Sequence, residues 1–314
     1  MNLTITAVPG IAAGHASLAD DATGCTVLIG PFRGAVDIRG LATGTREMET
    51  LSPQHLVPQI DAILLTGGSA LGLAAADGVV QWLREQGRGF DVGSARIPIV
   101  PAAVIFDIQR PEQRHPDAAL GRAACAAAGS SPLTEGRVGA GTGATVGKLR
   151  GPAHADPGGV GTFAVAHGDY MVGALAVVNA FGDVLGHEGT IMAGARADDG
   201  SPIDSMRSAG TAPGAPQPLM SNTTLCAIAT DAPLSRTALQ AVARMGSSAI
   251  VRRIAPANTI FDGDVVFALS TSAAAEDVTP AELLSIGAAA QLALEEAIIR
   301  AVGWRHTSSQ QLPP

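Results

Sequence analysis

The stretch RADDGSPIDSMRSAGTAPGAPQPL at positions 196–219, followed shortly by Asn222-Thr-Thr-Leu-Cys-Ala-Ile-Ala-Thr230, decides how this chain is read. The first part is rich in Pro, Gly, Ser and Asp and has no apolar period, which predicts a long surface loop. The second is an apolar and β-branched run, which predicts a strand. Loops that long are uncommon inside compact chains and are often functional. Two readings are open: a junction between two domains, or slack chain around a bond that is cut to make a new N-terminus. The second reading supplies a chemistry. A threonine at a chain start carries a hydroxyl and an α-amine on adjacent carbons, and that amine titrates near ~7.7–8.0. Much of it is neutral at physiological pH, so it can take the hydroxyl proton directly or through a water. The Asn222–Thr223 bond is therefore the candidate cleavage point and Thr223 the candidate nucleophile.

Working outward, short apolar runs predict strands at 25–29, 62–66, 161–166, 171–178, 225–230 and 265–270. Helical periodicity predicts helices at 69–86, capped by Ser69, and at 116–128, from Pro116 to a stop at Gly129. Two more are predicted at 235–245, capped by Ser235, and at 280–302. The last has Thr279 as N-cap, Pro280 at its first position and Gly303 as its stop. Strands and helices are mixed without strict alternation, which fits a layered α/β or α+β domain better than a regular βαβ wheel. There is no internal repeat or heptad pattern.

Charge and composition narrow the function classes. Lys and Arg number 20 against 28 Asp and Glu, a formal net charge of −8. A sequence-independent nucleic-acid binder needs a basic face, so no nucleic-acid partner is expected. Charged residues are only 15% of the chain, against about 25% in average soluble domains. The surface is thus built from small residues or hidden in subunit contacts. The 38 glycines exceed the usual share of about 7% and predict backbone that approaches something closely. No run reaches the roughly 18 apolar residues of a membrane helix. Met1-Asn-Leu-Thr-Ile-Thr has no basic and apolar secretory pattern. No membrane partner is expected, and the cytoplasm is the expected compartment. Cys25, Cys125 and Cys226 are odd in number and widely spaced, and read as buried reduced thiols.

Several motifs carry less alone than together. Gly139-Ala-Gly-Thr-Gly-Ala-Thr-Val-Gly-Lys148 fails as a Walker A loop, because its first position is Thr142 and Leu149 follows the lysine. It contains the spacing Gly139-x-Gly141-x-x-Ala144, but no long strand precedes it and no helix pattern follows. It reads instead as a loop holding the Lys148 ammonium at a reacting centre, or as an exposed lysine after a turn. His187-Glu188 does not extend to HExxH and no histidine pair has i, i+4 spacing, so no metal or cofactor is expected. Gly68-Ser69-Ala70 lacks nucleophile-elbow spacing. Its N–H groups are candidate oxyanion donors, or simply the start of a capped helix. Phe261-Asp262-Gly263-Asp264 precedes a strand as a pair of carboxylates or a solvated turn. Asn179, at a strand end, reads alone as a turn residue.

In this order and spacing the blocks match a family. They are Thr66-Gly-Gly-Ser-Ala-Leu-Gly-Leu with Ala76-Asp-Gly-Val, Pro101-Ala-Ala-Val-Ile-Phe-Asp, 139–148, Val178-Asn179-Ala, Asn222-Thr-Thr-Leu and Phe261-Asp-Gly-Asp. The chain resembles, over nearly its whole length, the DmpA/NylC family of self-processing N-terminal-nucleophile hydrolases. That family includes L-aminopeptidase/D-Ala-esterases, β-peptidyl aminopeptidases and nylon-oligomer hydrolases. The resemblance implies a four-layer α/β/β/α sandwich of the type shared with ornithine acetyltransferase. It implies one domain over 1–314, cut into 1–222 and 223–314, with 196–219 a flexible loop before the cut. It implies that Thr223 is the nucleophile, that Asn179 donates to the oxyanion and that Lys148 serves nearby charge. Asp262 and Asp264 would position the Thr223 amine and hydroxyl. Ser69, Ala70, Leu71, Gly72 and Phe106 would line the substrate and oxyanion site. Phe106 stands where family members carry a tyrosine, which removes one oxyanion donor. Threonine rather than serine as nucleophile resembles the nylon-oligomer branch and favours 6-aminohexanoate and other ω-amino-acid amides over peptides. A homotetramer of processed pairs is the implied assembly, with no cofactor. The competing functions are an aminopeptidase or β-peptidyl aminopeptidase, an ornithine-acetyltransferase-like acyltransferase and a non-catalytic oligomeric binding protein.

Overall fold

Pro31 divides the longest strand, β2 (Thr23–Ile38), into two working halves. Proline has no N–H to give to a ladder, and the register with the neighbouring strand shifts between Ile29 and Phe32. Before the break, β2 pairs with β1 (Ala12–Leu18) and β3 (Ile60–Thr66). After it, residues from Arg33 to Ile38 pair with β8 (Val265–Ser270). One strand thus joins the two halves of one sheet. The structure is a computed structural model and describes residues 2–209, 222–276 and 278–308. The expected loop at 196–219 lies outside the described residues from 210 onward. In its described part Arg196 bridges Pro202, and the Asp204 side chain caps the single-turn helix Ser205–Ser208.

The remaining principal strands are β4 (Ala102–Val104), β5 (Gly159–His167), β6 (Tyr170–Asn179) and β7 (Thr223–Thr230). Their order across the sheet is β5-β6-β7-β8-β2-β3-β4. Strands from both sides of 210–221 therefore share one sheet. The pairs β7–β8 and β3–β4 are parallel, whereas β5–β6, β6–β7 and β8–β2 are antiparallel.

Side-chain alternation at period two sorts the core into layers. Leu225, Ala227, Val265, Phe267, Leu175 and Val177 meet Leu28, Phe32, Ile63 and Leu65 in a cluster between the two halves of the sheet. Their neighbours Cys226, Ile228, Val266 and Ala268 face the other way, onto α3 (Arg236–Gly246) and α4 (Pro280–Ser308). Cys25, Val27, Ile29, Ala62 and Leu64 pack on α1 (Ala75–Glu85) and α2 (Ala118–Ala126). The result is the expected helix–sheet–sheet–helix sandwich.

Helix ends follow local chemistry with two corrections. Ser235 caps α3 by accepting the Ala238 N–H at 3.2 Å, and Thr279 and Glu282 form a reciprocal capping box at α4. Ser69 does not cap a helix: it sits at φ 52° and opens a 3₁₀ segment, Ser69–Ala74, that leads into α1. Its N–H is already committed to the Ile105 carbonyl at 2.9 Å. Gly303 does not stop α4, which continues to Ser308; the propensity cost of one glycine, about 1 kcal/mol, is small for a packed helix. At α2 the cap is Asp117, accepting the Leu120 N–H at 2.9 Å. Asp117→Ala is expected to lower stability by about 1 kcal/mol, read as a lower urea midpoint with an unchanged slope.

Candidate active site

Strand pairing brings the first two residues together. Asn179 ends β6 and Thr223 begins β7, and their Cα atoms are antiparallel partners. Cross-strand partners share a face. Both residues continue the inter-sheet face of Leu175, Val177, Leu225 and Ala227. The parallel neighbour adds the carboxylates: Asn222 bridges Asp262, and Asp264 lies just before β8. Lys148 arrives on the glycine-rich loop. Gly147 has φ 73°, and a Cβ there would lie 1.9 Å from the Ala195 nitrogen, so only glycine permits this turn. The turn docks the Lys148 N–H on the Phe181 carbonyl at 2.9 Å.

All of these side chains are buried. The Thr223 hydroxyl donates to the carbonyl oxygen of Asn222, the residue just before it. The same oxygen accepts the Gly263 N–H at 3.1 Å. Lys148 Nζ donates to the Asn179 carbonyl at 3.0 Å and to Asn179 Oδ1 at 2.9 Å. Asn179 Oδ1 also takes the Thr145 N–H at 3.0 Å, and Nδ2 donates to the Phe106 carbonyl at 3.1 Å. Those partners fix which end of the amide is oxygen. Asp264 accepts the Thr224 N–H at 2.6 Å and the Asn258 N–H at 3.3 Å. Asp262 accepts the Thr259 N–H at 2.8 Å. Among the described residues neither carboxylate bonds Thr223 itself; Asp264 holds the residue after it. Both side-chain polar atoms of Asn222 are buried without a described hydrogen-bond partner.

Burial dominates the electrostatics. It pushes the Lys148 ammonium down to about 7, against the opposing pull of Asp262 and Asp107. It pushes Asp264 up to about 7, and the nearby Asp262 charge adds to the rise. Asp262 is raised by burial as well, opposed by hydrogen bonds from Thr259 and by the lysine charge. Values near 7 suit Lys148 and Asp264 to acid–base and charge-stabilising work at neutral pH.

The other expected residues lie around this centre. Phe106 lines a cavity of about 270 Å³ with Asp107, Ile108, Gln109, Gly143, Thr145, Lys148 and Pro152. Ser69, Ala70, Leu71 and Gly72 are not in that lining. They form the 3₁₀ turn beside it, with Leu71 58% exposed. The turn is tied to the site through Asp107, whose carboxylate accepts the Gly68 N–H at 2.7 Å. Asp107 was not among the residues expected from sequence, although it ends the quoted block 101–107. It is buried, and burial pushes its carboxyl up to about 6. The backbone N–H groups of Gly263 and Thr145 were also missed, since main-chain donors leave no residue-type signal.

Among the described residues no group of three or more His, Cys, Asp or Glu could hold a metal. No described helix is long and apolar enough to cross a membrane.

Known proteins share this arrangement of blocks and layers. The family model described as peptidase family S58 matches residues 3–309. An uncharacterized aminopeptidase of Mycobacterium tuberculosis is 42% identical over 320 residues, covering 96% of this chain and 89% of the relative. A 6-aminohexanoate-oligomer endohydrolase of Agromyces sp. is 33% identical over 279 residues, covering 87% of this chain and 76% of the relative. In three dimensions the chain is similar to a Burkholderia sp. β-aminopeptidase, with TM-score 0.73 and 23% identity over 96% of this chain and 86% of that one. It is also similar to the L-aminopeptidase D-Ala-esterase/amidase of Ochrobactrum anthropi, described as a variant of the Ntn hydrolase fold. There the TM-score is 0.70 and the identity 22%, over 95% and 85% of the two chains. At those identities the solved structures bear on the fold. The family and the sequence relatives bear on the chemistry: this chain belongs to peptidase family S58 and is a hydrolase of amide bonds.

Proposed function

We propose that the chain cuts its own Asn222–Thr223 bond and then uses Thr223 as an N-terminal nucleophile against the amide bonds of small linear substrates. The observation that carries this reading is the Thr223 hydroxyl lying on the buried Asn222 carbonyl, beside the cross-strand partner Asn179 that Lys148 bonds. In the first reaction Thr223 Oγ adds to that carbonyl, an ester replaces the amide, and water releases a new chain start. In the second, Thr223 Oγ attacks a substrate amide. The freed α-amine takes the hydroxyl proton and returns it to the leaving amine, and water resolves the acyl-enzyme. In this reading Lys148 and Asn179 serve the charge that develops on the attacked substrate carbonyl.

The test is intact mass analysis of purified protein. Cleavage yields pieces of about 22 and 9 kDa, in the ratio of 222 to 92 residues of a 31.5 kDa chain. The smaller piece begins Thr-Thr-Leu-Cys. Fully active protein that remains one uncut chain overturns the proposal.

For substrate, threonine as nucleophile and the 6-aminohexanoate relatives favour ω-amino-acid oligomers. The 42% identity to a protein named as an aminopeptidase favours release of an N-terminal residue instead. Acetylating the substrate's amino end separates the two, because an aminopeptidase needs the free amine and an endohydrolase does not. Transfer of the acyl group to an amino acid in preference to water would mark an acyltransferase.

A further inference from the structure

The carbonyl that self-cleavage would attack already holds a hydrogen bond in the intact chain. The Gly263 N–H donates to it at 3.1 Å, and the Thr223 hydroxyl reaches the same oxygen. Position 263 offers that N–H and nothing else. A Cβ there would lie 2.8 Å from Thr223 Oγ and 2.9 Å from the Ala42 carbonyl oxygen. The turn is clamped from behind by the segment after β2. The N–H groups of Arg39 and Gly40 donate to the Asp264 carbonyl at 3.0 and 3.3 Å, and the Ala42 N–H donates to the Asp262 carbonyl at 2.9 Å. Gly40 is pressed flat against it. A Cβ at position 40 would lie 2.3 Å from the Asp264 nitrogen, 2.4 Å from the Asp262 oxygen and 2.5 Å from Gly263 Cα. No rotamer relieves such contacts, since each partner is backbone.

We infer that the Gly263 N–H is the oxyanion donor of the self-cleavage step, and that Gly40 is the positioning residue that holds it on the scissile carbonyl. This inference rests on the proposed cut at Asn222–Thr223. As Thr223 Oγ bonds to the Asn222 carbonyl carbon, the carbonyl electron pair moves onto its oxygen, which accepts the Gly263 N–H. The C–N bond to Thr223 then breaks with its electron pair on nitrogen. That nitrogen gains the hydroxyl proton, leaving an ester between Asn222 and Thr223 Oγ. Water cleaves the ester to the Asn222 carboxylate and a free Thr223 hydroxyl. A hydrogen bond to an anionic oxygen is roughly twice as strong as one to a neutral carbonyl. The same contact therefore strengthens as the barrier is climbed, and more than a ladder bond is at work.

Two full-length chains test this, each followed by intact mass against time after refolding, beside the parent. One replaces the 262–263 amide with an ester, assembled by ligation, and so removes only the Gly263 N–H. It is expected to fold with an unchanged far-UV spectrum and to cleave about 10²–10³ times more slowly. The other is Gly40→Ala, expected to slow cleavage at least tenfold. Hydroxylamine, which attacks an accumulated ester, should not rescue Gly40→Ala, because the defect precedes the ester; it is withheld from the ester-linked chain, whose 262–263 ester it would cut. A folded ester-linked chain that cleaves at the parent's rate overturns the inference. So does full rescue of Gly40→Ala by hydroxylamine, which would place the defect after the oxyanion of the first step. A parent chain that never cleaves is a failure of the proposed function, and that outcome is visible before either variant is made.

Discussion

Thr223→Ala is expected to leave the protein as one uncut chain and to abolish amide hydrolysis. Removing a nucleophilic hydroxyl elsewhere costs about 10⁶ in turnover, and here the same change also removes the chemistry that creates the active chain. Folding should survive. Thr223 is 4% exposed and its hydroxyl bonds only the neighbouring carbonyl among the described contacts. Alanine therefore deletes one local hydrogen bond, worth about 1 kcal/mol. Intact mass, a melting curve and an amide assay on one preparation separate the two effects. Thr223→Ser is expected to cleave and turn over, because serine keeps both the hydroxyl and the amine. An alanine variant that still splits at this bond would move the nucleophile to another residue.

Lys148→Met is expected to lower turnover by about 10²–10³, the usual effect of losing one charge-stabilising donor, without unfolding the protein. Methionine fills a similar volume and removes a buried ammonium that burial already disfavours. The pH dependence of stability gives an independent readout. Burial lowers the lysine from 10.5 to about 7 in the folded chain. Between those values the unfolded chain holds a proton that the folded one has lost, so this group makes stability rise with pH across that window. Below about 7 both states are protonated and the contribution is flat. The variant lacks this rise. Urea midpoints at pH 7 and pH 9.5 should therefore show the parent gaining on the variant. Parallel curves, or turnover equal to the parent's, would remove Lys148 from the role given to it.

Much of the fold was legible in linear patterns. The run 265–270 matches its strand end for end, and Ser235 and Thr279 cap the helices their chemistry predicts. Such features depend on residues a few positions apart. The errors came where a distant partner prevailed over local preference. Ser69 is the kind of residue that caps helices, yet its N–H is taken by Ile105 and its backbone turns to φ 52°. The stretch 196–219 has the composition of a domain linker, yet the strands on either side of it pair in one sheet. The strand expected at 25–29 stops short of Gly30-Pro31, yet β2 runs through both by changing partners from β3 to β8.

The site divides along the same line. The resemblance carried by the order of the sequence blocks nominates Thr223, Lys148, Asn179, Asp262 and Asp264, because that chemistry is carried by side chains that sequence records. What the sequence does not record is how far apart folded neighbours lie. Pairing of β6 with β7 sets Asn179 beside Thr223, and parallel pairing with β8 sets the 262–264 turn against the Asn222 carbonyl. Burial there drives a lysine and an aspartate to about 7 from opposite ends of the scale. Side-chain identity is inherited from the chain directly, whereas desolvation and main-chain hydrogen bonds exist only after segments distant along the chain have closed on one another.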